Sequence, residues 1–583
     1  MNNDPHPIKN IKNNLISMEN SKSGSKLLSD FKFYSSYSKF NEKEGRYETW
    51  EEAVDRVFDG MHKIKFKEIY DNDIKFKEYY EFAKDAYKNK LVLASQRSLQ
   101  FGGEPILKHN SKMFNCLTSY CDRVRFFQDT MYWLLSGCGV GFSVQYKHIS
   151  KLPKIKERSN RSKVHLIEDS IEGWADAIGI LLSSYFDGEV TFPKYQNCHI
   201  SFDYSNIRPK GALISGGFKA PGPDGLRIAL QKIEDLLERE LNKLNFDGVV
   251  ESIVAYDIVM YMGDAVLSGG VRRSATICMF SPDDEKMINA KIGNWFIENP
   301  QRARSNNSVI LNRNNITKDT FHEFFNSVKQ FGEPGFIFTE NEDIIFNPCV
   351  EIGMVPQSRD GISGFQGCNL VEINGGKSIT EEKFMLACKA AAIIGTLQAA
   401  YTDFKYVDPI CKKIFDEEAL LGVSITGFMA NPEILLNPDI QKKGALLIKQ
   451  INKEVAKMIG INQAARTTCV KPSGNACTTF DTKIKTEFGD MTLEDIFNYC
   501  SDNNLNNMSD KTSFVPNKQL KVYDENNNLN IISNCYLNGL SEIFEIEFED
   551  GNTYKFTDQH KLKTKNGWKY VYELKENDEI INF

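Results

Sequence analysis

Residues 347–351 read Asn347-Pro348-Cys349-Val350-Glu351, a carboxamide, a thiol and a carboxylate within five positions. In an extended loop alternate side chains share a side, so Asn347, Cys349 and Glu351 would face the same way. Such a row suits radical chemistry on a sugar: a sulfur radical to take hydrogen, a base for a hydroxyl proton, and an amide to orient the substrate. Spacing alone favours a plainer alternative, a polar turn with a buried Cys.

Outward from this stretch the pattern alternates. Short β-like runs at 335–338 and 423–425 lie among segments with apolar residues at three- and four-residue spacing, at 166–186, 226–244, 383–404 and 443–459. Residues 48–90 are charged and amphipathic, hence helical. Residues 136–145 (SGCGVGFSVQ) read as strand and tight turn. Alternating strands and helices predict an α/β core. After Cys477 the character changes. Residues 543–548 (IFEIEF), an acidic turn through Gly551-Asn552, and 553–556 form a hairpin signal. This part reads as a separate, mostly β domain of about a hundred residues.

Length and composition set limits. A chain of 583 residues exceeds one ordinary domain but suits a large enzyme barrel with an appendage. A net charge of -7 argues against a general nucleic-acid binder, which clusters Lys and Arg. No apolar run reaches a membrane span, and the polar N-terminus lacks a signal-peptide core. A cytoplasmic protein with no nucleic-acid or membrane partner is expected. Its 13 cysteines are scattered, which suits a reducing compartment. Cys121, Cys138, Cys198, Cys278, Cys388, Cys411, Cys469, Cys500 and Cys535 read as small buried hydrophobes. Cys116, Cys349, Cys368 and Cys477 sit in local patterns that need more.

Asn347-Pro348-Cys349-x-Glu351 resembles the finger-loop motif of ribonucleotide reductases. Phe365-Gln366-Gly367-Cys368-Asn369-Leu370 and Phe114-Asn115-Cys116 resemble the segments carrying the family's redox cysteines. Other segments resemble the monomeric, adenosylcobalamin-dependent ribonucleoside-triphosphate reductases in the same order. They begin at Gly139, Ser205, Val271, Ser305 and Gly332 and end with Val470-Lys471-Pro472-Ser473-Gly474. The resemblance covers most of residues 30–476. It implies a ten-stranded α/β barrel, incomplete in this chain, with the Cys349 loop threaded through it. It also implies adenosylcobalamin as cofactor and no metal site. Cys349 would carry the thiyl radical, Glu351 would accept the 3′-hydroxyl proton, and Asn347 would hold the substrate. Cys116 and Cys368 would supply electrons and become a disulfide. Pro472, Ser473, Gly474 and Asn475 would bind the substrate phosphates. Arg208 and Lys210 would relay effector identity, although without the resemblance their loop is an ordinary solvated turn. The implied partners are a ribonucleoside triphosphate, a deoxynucleotide effector and a thioredoxin-like reductant. Two departures stand out. Val350 occupies a usual Gly position, where φ > 0 would be costly, and an insertion lies between Val355 and Ser363.

The reductase resemblance stops inside the phosphate loop. From Cys477 the sequence resembles the first block of an intein, and Thr557-Asp558-Gln559-His560 resembles its Thr-x-x-His block. Gly567-Trp568 follows in the expected order. Cys477 would attack the Ala476 carbonyl, His560 would protonate the leaving amide nitrogen, and Thr557 would polarise the scissile bond. The expected organisation is a lead-in at 1–45, a reductase part at 46–476, and the N-terminal half of a split, Hint-type intein at 477–583. Its partner would be a chain carrying the other intein half and the rest of the reductase. Alternatives are the large subunit of a metal-radical reductase, or a truncated fragment in which only the autoprocessing domain works.

Overall fold

The computed structural model describes residues 6–11, 33–34, 37–42, 44–214, 218–267, 275–471 and 483–501, with short segments between 513 and 580. The chain divides into two compact units, Ser36–Pro472 and a second made of Met1–Ser35 with Ser473–Phe583.

The first unit is built on one mixed sheet. Its strands are β1 (Val92–Leu93), β2 (Cys116–Tyr120), β3 (Gly139–Ser143), β4 (Thr276–Phe280), β5 (Ser305–Asn312) and β6 (Gly335–Thr339). A hairpin of β7 (Ile345–Phe346) and β8 (Gly353–Met354) comes next, then β9 (Phe365–Asn374) and β10 (Leu421–Thr426). The sheet order is β6-β5-β4-β3-β2-β9-β10, with β1 also on β9. Strands β2 to β6 are mutually parallel, and β9 is parallel to β10. The two groups meet at an antiparallel seam between β2 and β9. Eight strands are paired in this sheet among the described residues, against the ten expected.

Every residue of β2 and β4 is buried. Strands covered on both faces carry no polar-apolar alternation, so patterning located β3, β6 and β10 but passed over β4. One face gathers Tyr120, Ile277, Met279, Ile310 and Ile337 around Ile345 of the hairpin. On β9 and β10 the opposite face packs against α1 (Glu381–Ala399), which in turn lies on α2 (Pro438–Ile459). Small residues allow this closeness: a Cβ on Gly395 would stand 2.9 Å from Leu421, and one on Gly444 would stand 2.8 Å from Phe384. The α1 start is fixed by the Thr380 side chain, which accepts the Lys383 N–H.

The second unit is mostly antiparallel β. Strands Phe544–Phe548 and Thr553–Phe556 form the expected hairpin. They belong to a six-stranded sheet that also takes in His6–Ile11, inside the stretch read as a lead-in. A helix, Leu493–Ser501, contributes Ile496, Phe497 and Cys500 to a small core with Leu520 and Cys535. Among the described residues no helix is long and apolar enough to cross a membrane.

Two buried histidines predict an acid-sensitive first unit. His148 stacks on Tyr120 at 3.9 Å between centroids and meets the Ser143 hydroxyl at 2.9 Å. Burial holds its pKa down to about 4, and that of His62 to about 3. A pKa depressed on folding contributes stability above the unfolded value near 6.5 that is lost as pH falls toward the folded value. Between pH 6.5 and 4, wild type should lose on the order of 2 kcal/mol more than His148→Gln. Denaturant titrations of both proteins across that window test this. Parallel curves would assign the acid response to other groups.

Candidate active site

The hairpin pairs Ile345 with Met354 and Phe346 with Gly353, leaving 347–352 as its tip. The tip is a tight turn, not the extended run expected from the sequence. The Val350 N–H donates to the Asn347 carbonyl at 2.9 Å, and Val350 takes φ 64°. A β-branched residue there costs on the order of 1–3 kcal/mol, so the turn persists although Val stands where Gly was expected.

Alternation is therefore not what brings the functional groups together. Asn347 folds back on its own loop. Its Oδ1 accepts the Ile352 N–H at 3.0 Å, and its Nδ2 donates to Glu351 Oε2 at 2.8 Å. Asn347 is fully buried and the Glu351 side chain is 2% exposed. Cys349 is exposed at the turn, against the alternative of a buried Cys.

The tip lies across β3, and glycine makes the crossing possible. A Cβ on Gly141 would stand 1.8 Å from the Phe346 carbonyl oxygen, and one on Gly139 would stand 3.1 Å from Pro348. The Phe346 N–H points at the Met279 sulfur, 3.2 Å away.

Cys116 opens β2 beside the tip. Burial pushes its thiol up to about 11, against the opposing pull of an Asn347 hydrogen bond and the nearby Lys471 ammonium. Across the seam its register partner is Cys368. Directly opposed positions of an antiparallel ladder stand about 4.5–5.5 Å apart at Cα, within the span of a disulfide.

Lys471 completes the cluster and carried no role in the sequence reading. Its Nζ donates to Glu351 Oε1 at 2.6 Å. Burial opposes its charge, but the Glu351 hydrogen bond and its anionic neighbours raise its pKa overall. Glu372 of β9 is raised by burial, with Lys471 and a Ser424 hydrogen bond opposing.

Other expected residues lie elsewhere. Arg208 pairs with Asp169 at 2.5 Å, and Lys210 is exposed on the same loop. That loop follows His199–Asp203, which pairs with Ser162–Leu166 in a separate two-stranded ribbon. The segment at 355–363 is a small surface turn closed by a Gln357–Ser363 bridge. Pro472, Ser473, Gly474, Asn475, Ala476, Cys477, Thr557 and His560 lie outside the described residues. Among the described residues no three His, Cys, Asp or Glu side chains gather as a metal site.

A solved B-12-dependent, class II ribonucleotide reductase superposes on 80% of this chain and 76% of its own, with a TM-score of 0.63 at 22% identity. The fold is that of a class II ribonucleotide reductase. An adenosylcobalamin-dependent ribonucleoside-triphosphate reductase of Lactobacillus delbrueckii subsp. bulgaricus is 24% identical over 539 residues, covering 75% of this chain and 70% of the relative. Its counterpart in Lactobacillus acidophilus is 25% identical over 414 residues, covering 58% and 54%. The chain thus spans between about half and 70% of the length of these relatives. No family model matches.

The glycine crossing is directly testable. Gly141→Ala forces strand or loop to move and should cost on the order of 1–3 kcal/mol in chemical denaturation. Gly60→Ala is the control, because the nearest atom to its new Cβ is 3.9 Å away. Equal stability of the two variants would mean that the tip does not press on β3.

Proposed function

We propose that the first unit carries the reducing site of a ribonucleotide reductase that converts ribonucleoside triphosphates to 2′-deoxyribonucleotides by sulfur-radical chemistry. The observation that supports it best is the buried cluster of Asn347, Glu351, Lys471 and Cys116 at a loop whose tip presents Cys349. The relatives' names favour adenosylcobalamin over a metal-radical partner subunit. The exposed Cys349 sulfur fits a radical source that approaches from outside the loop. Adenosylcobalamin, when bound, would supply the organic radical that oxidises that sulfur.

The chain's own residues then divide the work. The Cys349 sulfur takes the hydrogen from the ribose 3′ carbon and later returns it. Glu351, held in place by Asn347, accepts the 3′-hydroxyl proton and returns it once the sugar is reduced. The 2′-hydroxyl leaves as water. Cys116 and Cys368 provide two electrons and two protons and end as a disulfide, which a thioredoxin-like dithiol reduces. Arg208 and Lys210 report a deoxynucleotide effector, and Pro472, Ser473, Gly474 and Asn475 hold the substrate phosphates.

Residues 477–583, the larger part of the second unit, are on this reading the N-terminal half of a split intein. Its antiparallel hairpins and the unit boundary at Pro472 and Ser473, close to the expected junction after Ala476, support this. The partner chain would bring the rest of the barrel. Strand β6 ends the sheet with no second neighbour among the described residues, and such an edge accepts another strand.

Two experiments test these readings. Spliced protein should reduce ribonucleoside triphosphates with adenosylcobalamin and a dithiol, and Cys349→Ser should lower the rate by roughly a thousandfold or more. Cys116→Ser and Cys368→Ser should each stop sustained turnover. Undiminished activity without the cofactor would refute the assignment. For splicing, mixing the chain with its C-terminal partner should join residues 1–476 to that partner and release a fragment beginning at Cys477, as read by mass spectrometry. Cys477→Ala should prevent this and His560→Ala should slow it. A partner that binds intact, reduced chain yet gives no joined product would leave residues 477–583 as an inert appendage.

A further inference from the structure

One ammonium, that of Lys471, joins the cluster through Glu351. The Lys471 ammonium bonds Glu351 of the hairpin tip at 2.6 Å and acts electrostatically on Glu372 of β9, Cys116 of β2, and the Cys349 and Cys469 thiols. The Lys471 side chain is 27% exposed, against 2% for Glu351. Its own backbone is anchored. The Lys471 N–H donates to Ser424 Oγ at 3.1 Å, the Cys469 N–H donates to the Val423 carbonyl at 3.0 Å, and Thr468 bridges Val423 in parallel. Ser424 is also the hydrogen-bond partner of Glu372. The ammonium therefore sits on a fixed rail beside β10 while its carboxylate partner sits on the hairpin.

We propose that Lys471 is a positioning residue of the reducing site, one that clamps the Glu351 carboxylate from the side opposite Asn347 and places a positive charge beside Cys116. This rests on the reductase reading of the same residues. Glu351 Oε2 takes the Asn347 amide and Oε1 takes the ammonium. With both oxygens engaged, the carboxylate has one orientation, so its reach toward a substrate hydroxyl is fixed before substrate arrives. Without the ammonium, Glu351 would be a buried carboxylate next to Glu372, and it would turn away or draw in water. The same charge favours the thiolate of Cys116 over its thiol. A lysine that only tied its own segment to β10 would do neither, because that tie runs through backbone groups.

The test uses Lys471→Met, which keeps the aliphatic stem, and Lys471→Arg, which keeps the charge. The first measurement is on the intact chain and needs no turnover. At pH 9, alkylation of Cys116 by a small haloacetamide, resolved by mass spectrometry, should slow by about threefold or more in Lys471→Met. In Lys471→Arg it should return to within about twofold of wild type. The second is on the assembled, spliced reductase. Lys471→Met should lower kcat by about tenfold or more with KM changed less than about threefold, and Lys471→Arg should recover most of kcat. Thermal melting checks that each variant folds, and the arginine variant still decides the question where the methionine variant does not fold. Unchanged alkylation together with unchanged kcat in Lys471→Met overturns the proposal while leaving the reductase reading intact. If wild type reduces no ribonucleotide, the reductase reading fails, and the alkylation series still decides whether Lys471 acts on Cys116.

Discussion

A polar loop laid against a buried strand has to satisfy its own backbone and find room for it, and the rest of the first unit depends on how the 347–352 tip meets both demands. Room comes from β3, where Gly139 and Gly141 leave the space a Cβ would fill. Satisfaction comes from Asn347, whose carboxamide oxygen takes the Ile352 N–H while its nitrogen holds Glu351. A buried unpaired N–H or carboxylate costs more than most single contacts return, so Asn347 is structural before it is chemical. The apolar flanks set the depth of the loop. Ile345 packs among Tyr120, Ile277, Met279, Ile310 and Ile337, while Ile352 and Met354 pack with Leu370 and Leu420. The hairpin is wedged between two clusters, with its polar tip between them.

That placement sets the electrostatics of the cluster. Two carboxyl groups, Glu351 and Glu372, oppose one another electrostatically, and the Lys471 ammonium acts on both. Burial disfavours charge at Glu372 and thiolate at Cys116, and the Lys471 ammonium opposes both effects. The seam between β2 and β9 adds the geometric half of that arrangement. It is the antiparallel join between the two parallel strand groups, and it puts Cys116 opposite Cys368.

Much of this was legible in the sequence, for identifiable reasons. Helices at 171–185, 224–241, 381–399 and 438–459 carry three- and four-residue apolar periodicity, and they formed within a few residues of where that periodicity placed them. Asn347, Cys349 and Glu351 are contiguous, so a local motif could name them, though not the turn that folds Asn347 onto Glu351. Strand β4 is not legible in the pattern because burial on both faces erases alternation. Lys471 escaped for another reason: its partner lies 120 residues away, and no local pattern encodes a contact made only when β10 and the hairpin close on one another. The glycines of β3 were visible as strand punctuation, but their purpose was not, since the atom they make way for belongs to Phe346.

The position of Lys471 in the chain carries this one step further. The segment from Thr468 to Lys471 runs beside β10 and ends at the residue that holds Glu351. On the proposed reading, the peptide bond exchanged in splicing follows Ala476, a few residues later. The charge clamp on Glu351 thus lies on the same side of the junction as Cys116, Asn347 and Cys349, and its anchoring runs through Val423 and Ser424, which belong to the same unit. Among the described residues, every hydrogen-bond partner of the clamp lies in this unit. A junction placed before Thr468 would have separated the ammonium from its carboxylate and left Glu351 buried beside Glu372 without a counter-charge. A junction after Lys471 leaves the charged cluster of Lys471, Glu351 and Cys116 whole within one unit.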